Sequence, residues 1–153
     1  MPLASLSDPA KAAEIRGRIV RLRPDSPRQW GRMTPQQMMC HLTDSYLSVM
    51  GLRGTPPVSR QSKIIKWLAL YLPLPWMKGV PTRDEVDQEK GGTAPSTDFE
   101  ADRRKLLAVL DRYTASTRDF SFREHPIFGA MSDWEWMRWG YLHPDHHLRQ
   151  FGL

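Results

Sequence analysis

Three of the five histidines in this chain fall within five residues of one another in YLHPDHHLRQFGL, residues 141–153. A neutral imidazole is the commonest protein ligand for a transition-metal ion, so the spacing inside this segment decides whether the cluster has chemical meaning. On an α-helix each residue turns about 100° from the last, and positions four apart lie only about 40° from each other. His143 and His147 therefore share a face. Trp136, Trp139, Gly140 and Gln150 fall within about 60° of His143, a stripe that begins aromatic and turns polar towards the chain end, as a metal site at one end of a helical core would. His146 lies about 60° away on the other flank and is expected to stand behind the ligands or to face solvent. Pro144 removes the backbone hydrogen bond to Gly140, which predicts a local bend where the rings are aimed, or equally a proline tolerated near the chain end.

Two imidazoles rarely hold a divalent ion, so a third ligand has to come from elsewhere, and His41 is the candidate. Its face of the preceding helix carries Gln37, Ser45 and Ser48 with Asp44 at the edge, beside an apolar arc of Met38, Leu42, Tyr46 and Val49. That border between a polar strip and a core arc suits the wall of a cavity. Cys40 points about 100° away from His41 and reads as a small core residue. His125, in REHPIFGAMS, precedes a proline and reads first as a loop residue in an extended turn. Three neutral imidazoles leave an ion's charge uncompensated and a coordination position open, the arrangement of catalytic sites. Such an ion brings a bound water's pKa to about 7 and deprotonates a bound thiol. Asp44, His125 and Gln150 are candidate catalytic residues, either handling protons or taking the outer N–H of a ligand ring. Imidazole suits zinc, nickel and iron alike, so the metal's identity stays open.

The elements that must carry these residues are marked by their ends. A first helix is predicted from an Asp8 cap with Pro9 in the first turn to about Leu22. A second opens on Thr34, Pro35 and Gln37, a capping-box spelling, and stops at Gly51. A short apolar helix near 62–72 is expected to be buried, with a lid or dimer-contact role as its sharper alternative. A long loop follows to about residue 96, interrupting helices 2 and 3 of the four long ones. The third long helix starts at a Thr97-to-Glu100 box and carries Leu106, Leu107, Leu110 and Tyr113 on one side; the last starts at a Ser132-to-Glu135 box. No strand alternation is sustained. The expected fold is all-α, a single domain over 1–153 built as a four-helix bundle with one extra short helix and a long loop.

Composition is that of an ordinary soluble globular chain, 40% apolar and 25% charged. Its formal charge of +5 raises nucleic acid as a partner, but the densest basic run, Arg16 to Arg23, holds Ile15, Ile19 and Leu22 at helical spacing. Its arginines read as solvated flanks of an amphipathic helix, and no nucleic-acid partner is expected. The most apolar stretch, Ile64 to Met77, is shorter than the roughly 20 residues a spanning helix needs, so no membrane partner is expected either. A single cysteine and no signal-like start favour the cytoplasm.

At HPDHHLRQ, taken with WGRMTPQQMMCHL, the chain resembles the DinB-like (YfiT-like) superfamily of metal-dependent helical bundles. The matching pieces are one histidine on the second helix, here His41, and a His-x-x-x-His pair on the last, here His143 and His147. KGVPT and HPIFGAMSDWEW resemble an uncharacterised branch. The resemblance implies an up-down-down-up bundle, a divalent metal on the three histidines, a homodimer, and a small-molecule substrate to which a low-molecular-weight thiol is transferred. Pro144 between the ligands departs from the pattern. Metal-dependent hydrolysis, and a non-catalytic module that keeps the metal for stability, are the competing expectations.

Overall fold

A computed structural model describes residues 2–54 and 60–153; Met1 and residues 55–59 lie outside it. The sequence between 52 and 96, which includes residues 55–59, is also where a substrate pocket is expected, because it is the long connection that follows the helix carrying His41. The helices are α1 (Pro9–Arg21), α2 (Pro35–Val49), α3 (Lys63–Tyr71), α4 (Phe99–Thr114) and α5 (Asp133–Arg149), with a 3-10 turn at Asp84–Val86. Among the described residues there is no strand, and His125 and Gly129 form an isolated antiparallel bridge. α2 packs against α4 and α5, α1 packs against the same two helices, and α3 rests on α5.

The helix starts follow from their capping side chains. Asp8 accepts from the Ala10 amide, and Thr34 with Gln37 and Ser132 with Glu135 form reciprocal capping boxes. The third long helix is the exception. Its cap is Asp98, which accepts from the amides of Glu100 and Ala101, and not Thr97. A carboxylate one residue later serves two orphan donors and complements the helix dipole, which a hydroxyl does less well.

The expected apolar faces meet in one core. Ile15 and Ile19 of α1, Met38, Leu42 and Tyr46 of α2, Leu106, Leu110 and Tyr113 of α4, and Trp136 and Leu148 of α5 are essentially inaccessible. Two expectations are corrected. Arg18 is not a solvated flank: its guanidinium is buried, pairs with Asp145 at 2.8 Å and donates to the Leu153 carbonyl at 2.9 Å, tying α1 to the end of α5. Nor is α3 buried. Leu70 is its one buried residue, while Ile64 and Trp67 are 74% and 55% exposed. The helix is too far out to be covered, and polar ties hold it in place. Glu135 accepts from Lys66 and Tyr71, and Arg138 donates to the Leu70 carbonyl.

Pro144 does not break α5, which runs through it without interruption. The proline has no N–H for the Gly140 carbonyl, and the Tyr46 hydroxyl of α2 donates to that oxygen at 2.6 Å instead. Gly140 also lacks the Cβ that would strike the Tyr113 ring. The vacancy in one helix's ladder thus becomes a buried tie to the helix that carries His41. Tyr46→Phe removes the donor without changing the shape and leaves a buried carbonyl unpaired, so it should cost about 1–3 kcal/mol. Urea denaturation checks this, with Tyr46→Phe expected to unfold at lower urea with an unchanged slope.

Candidate metal centre

His41 sits near the middle of α2, and His143 and His147 face it from the last turns of α5, where the Tyr46–Gly140 tie brings the two helices together. One nitrogen from each ring can be chosen so that all three lie within 4.8 Å of one another. Ring centroids are 5.1 Å apart for His41 and His143, 4.6 Å for His41 and His147, and 5.0 Å for His143 and His147.

Two of the tautomers are fixed by outer partners. His41 Nδ1 donates to the Val86 carbonyl at 2.8 Å, and His147 Nδ1 donates to Gln150 Oε1 at 2.8 Å. Both rings therefore keep their Nε2 lone pairs for the interior. His143 Nε2 lies 3.1 Å from His41 Nε2. One N–H···N bond can satisfy that pair but not the third ring, whereas a shared cation satisfies all three. With metal–nitrogen bonds of about 2.05 Å, a 3.1 Å separation subtends about 98° at the ion, within the range of ordinary coordination. Burial pushes all three imidazoles towards the neutral form that ligation requires, most strongly for His143 and His147. These residues fit a divalent ion.

The remaining candidates occupy distinct places. Gln150 is on His147, as described. Asp44 does not touch the rings; it is buried, accepts from the Thr93 amide at 2.7 Å and hydroxyl at 2.8 Å and from Gln88 Nε2 at 3.0 Å, and pairs with Arg53. It pins residues 86–93 over α2, which puts the Val86 carbonyl on His41. His125 is buried and stacks on Phe128 at 4.2 Å, its Nδ1 accepting from the amides of Ile127 and Phe128. Desolvation lowers its pKa to about 3. His146 does not face solvent: Trp30 and Trp76 cover it, at ring distances of 4.9 and 6.1 Å. Cys40 is a buried core thiol, pushed up to about 12 chiefly by burial. The Val86 carbonyl and Trp76 escaped sequence reasoning, because a loop backbone oxygen has no residue-type signature and Trp76 lies in a stretch without periodicity.

The three histidines and His125 line a cavity of about 680 Å³ whose wall is otherwise mostly apolar, with Ile65, Leu68, Leu74 and Phe128, and also carries Arg83, Glu85, Arg123 and Glu124. Behind His147 and Gln150 lies a second cavity, about 440 Å³, lined by Trp30, Arg32, Lys78 and Glu89 among others.

Gly31 sets the Gln150 amide. It has φ +85°, and a Cβ there would overlap Gln150 Nε2. Gly31→Ala therefore has to move the amide off His147. Losing such an outer partner weakens metal binding by roughly 10–100-fold, which a competition titration against a chromogenic chelator would read. Unchanged affinity would mean that Gln150 does not orient the ring.

A family model described as a protein of unknown function (DUF1569) matches residues 10–152. No curated protein and no solved structure matches the chain.

Proposed function

The chain belongs to the DUF1569 family, a family of unknown function, and we propose that this member is a divalent-metal-dependent enzyme transferring a small thiol to a small, largely apolar electrophile. The observation that carries this reading is the convergence of three neutral imidazoles, two with fixed tautomers, on the wall of a cavity large enough for a small molecule. A closed structural site needs no such cavity beside it. When bound, a divalent ion would supply the positive charge that keeps a thiol ionised at neutral pH.

The chain's own residues do the rest. His41, His143 and His147 would hold the ion, with Val86 and Gln150 fixing two of the rings. The mostly apolar wall would seat an apolar electrophile with fewer waters around it, which favours attack by a thiol over attack by water. That wall is the reason for preferring transfer to hydrolysis, and the DinB-like resemblance points the same way. The pairing of α1 and α2 with both α4 and α5 also supports an up-down-down-up four-helix bundle as the frame.

The test is an assay of the purified protein, with and without added zinc, nickel or iron, using glutathione, bacillithiol and cysteine against chlorinated aromatic and epoxide electrophiles. Conjugation that needs both metal and thiol is the expected result. Turnover without thiol would replace transfer by hydrolysis, and no metal-dependent reaction under any combination would remove the proposal.

A further inference from the structure

One strip of α2 continues from the metal centre into the larger cavity. Ser45 lies four residues beyond His41 and Ser48 three beyond that, so all three share a helix face, and all three line the cavity. The two serines are 6% and 8% exposed, and neither hydroxyl has a hydrogen-bond partner among the described residues. Serine in a helix usually returns its hydroxyl to a carbonyl one turn back, as Thr43 does to Met39 at 2.8 Å. Ser45 and Ser48 do not. A buried hydroxyl without a partner is costly unless something supplies one.

His125, also on the cavity wall, adds a third donor. Its Nδ1 is occupied by the Ile127 and Phe128 amides, so Nε2 carries the hydrogen, and that N–H makes no hydrogen bond to the described residues. The rest of the lining is predominantly apolar, with Leu68, Leu74 and Phe128 on it, and the charged Arg83, Glu85, Arg123 and Glu124 complete it. Three buried polar groups with unused donors in a mostly apolar cavity describe a ligand of one class.

We propose that this cavity is a binding site for a largely apolar small molecule bearing a hydrogen-bond-accepting oxygen, held by the Ser45 and Ser48 hydroxyls and His125 Nε2–H beside the three-histidine centre. The inference deepens the function proposed above and rests on it for the identity of the bound molecule as a substrate. Selectivity for the acceptor, however, belongs to the cavity alone and is measurable without metal.

The test titrates the full chain, stripped with EDTA so that no cation competes for the oxygen, with two matched probes, 2-acetylnaphthalene and 2-ethylnaphthalene. Quenching of tryptophan emission reads binding, since Trp76 and Trp139 line the cavity. The ketone is expected to bind about tenfold more tightly than the hydrocarbon, a ratio in the range of one or two net hydrogen bonds. The Ser45→Ala, Ser48→Ala double variant orphans no partner and should fold, and it should shrink that ratio while leaving the hydrocarbon's affinity unchanged. His125→Asn, whose short amide can still accept from the loop amides, should do the same. Equal affinities in the parent chain, no binding of either probe, or a ratio untouched by both variants would overturn the proposal. Metal content measured on the same preparations before stripping reports separately on the metal centre.

Discussion

Replacing His143 with alanine is expected to lower divalent-metal affinity on the order of 10³-fold while leaving the metal-free fold intact. A three-histidine site shares its binding free energy among three bonds, and the total for tight zinc sites is about 10–16 kcal/mol. Losing one ligand therefore removes several kcal/mol. His143 is the best of the three to remove. Its Nδ1 has no partner among the described residues, whereas His41 and His147 each donate to a group that their loss would orphan. Thermal unfolding separates affinity from stability. In EDTA His143→Ala should fold and melt only modestly below the parent, the difference reflecting the lost His143–His41 N–H···N contact. With metal at about 100 times its dissociation constant the parent gains about 2.7 kcal/mol, and the variant gains little. If the variant gained as much, His143 would not be a ligand.

The second large effect is acid sensitivity. All five histidines have pKa values lowered in the folded chain, first by desolvation, to about 3 for His125 and about 4 for His146. An unfolded histidine takes up a proton near pH 6.5, whereas the folded chain refuses it until far lower. Stability from these groups is therefore complete above about pH 6.5 and is lost as the pH falls towards the folded values. Each group that stays neutral costs about 1.4 kcal/mol per pH unit in that window, so His125 and His146 together account for about 3 kcal/mol per unit between pH 6 and 4. Urea midpoints at pH 7, 6 and 5 in EDTA should fall steeply, and His125→Asn should flatten the slope by about one proton. A midpoint that stays level from pH 7 to 5 would contradict the burial of these rings.

Much of this was legible in the letters because helices announce themselves locally. Caps at Asp8, Thr34 and Ser132 and the four-residue spacing of His143 and His147 depend only on neighbours in sequence. What escaped was set by distant packing. The loop carbonyl on His41 comes from a residue 45 positions away, delivered by Asp44's grip on Thr93. Arg18 looked solvated because its partner, Asp145, is 127 residues distant. The apolar helix α3 looked buried because hydrophobicity alone does not say whether a wall faces a core or a cavity. Pro144 predicted a bend; Tyr46, whose hydroxyl replaces the missing amide, could be found only once α2 and α5 were side by side.

The most direct test is elemental analysis of the chain purified without a histidine tag and then dialysed against zinc, nickel or iron with a weak chelator present. One equivalent of a divalent metal per chain is the expected result, retained in the parent and lost in His143→Ala. Parent protein that is free of metal as isolated, and takes up none on dialysis, would contradict the three-histidine centre.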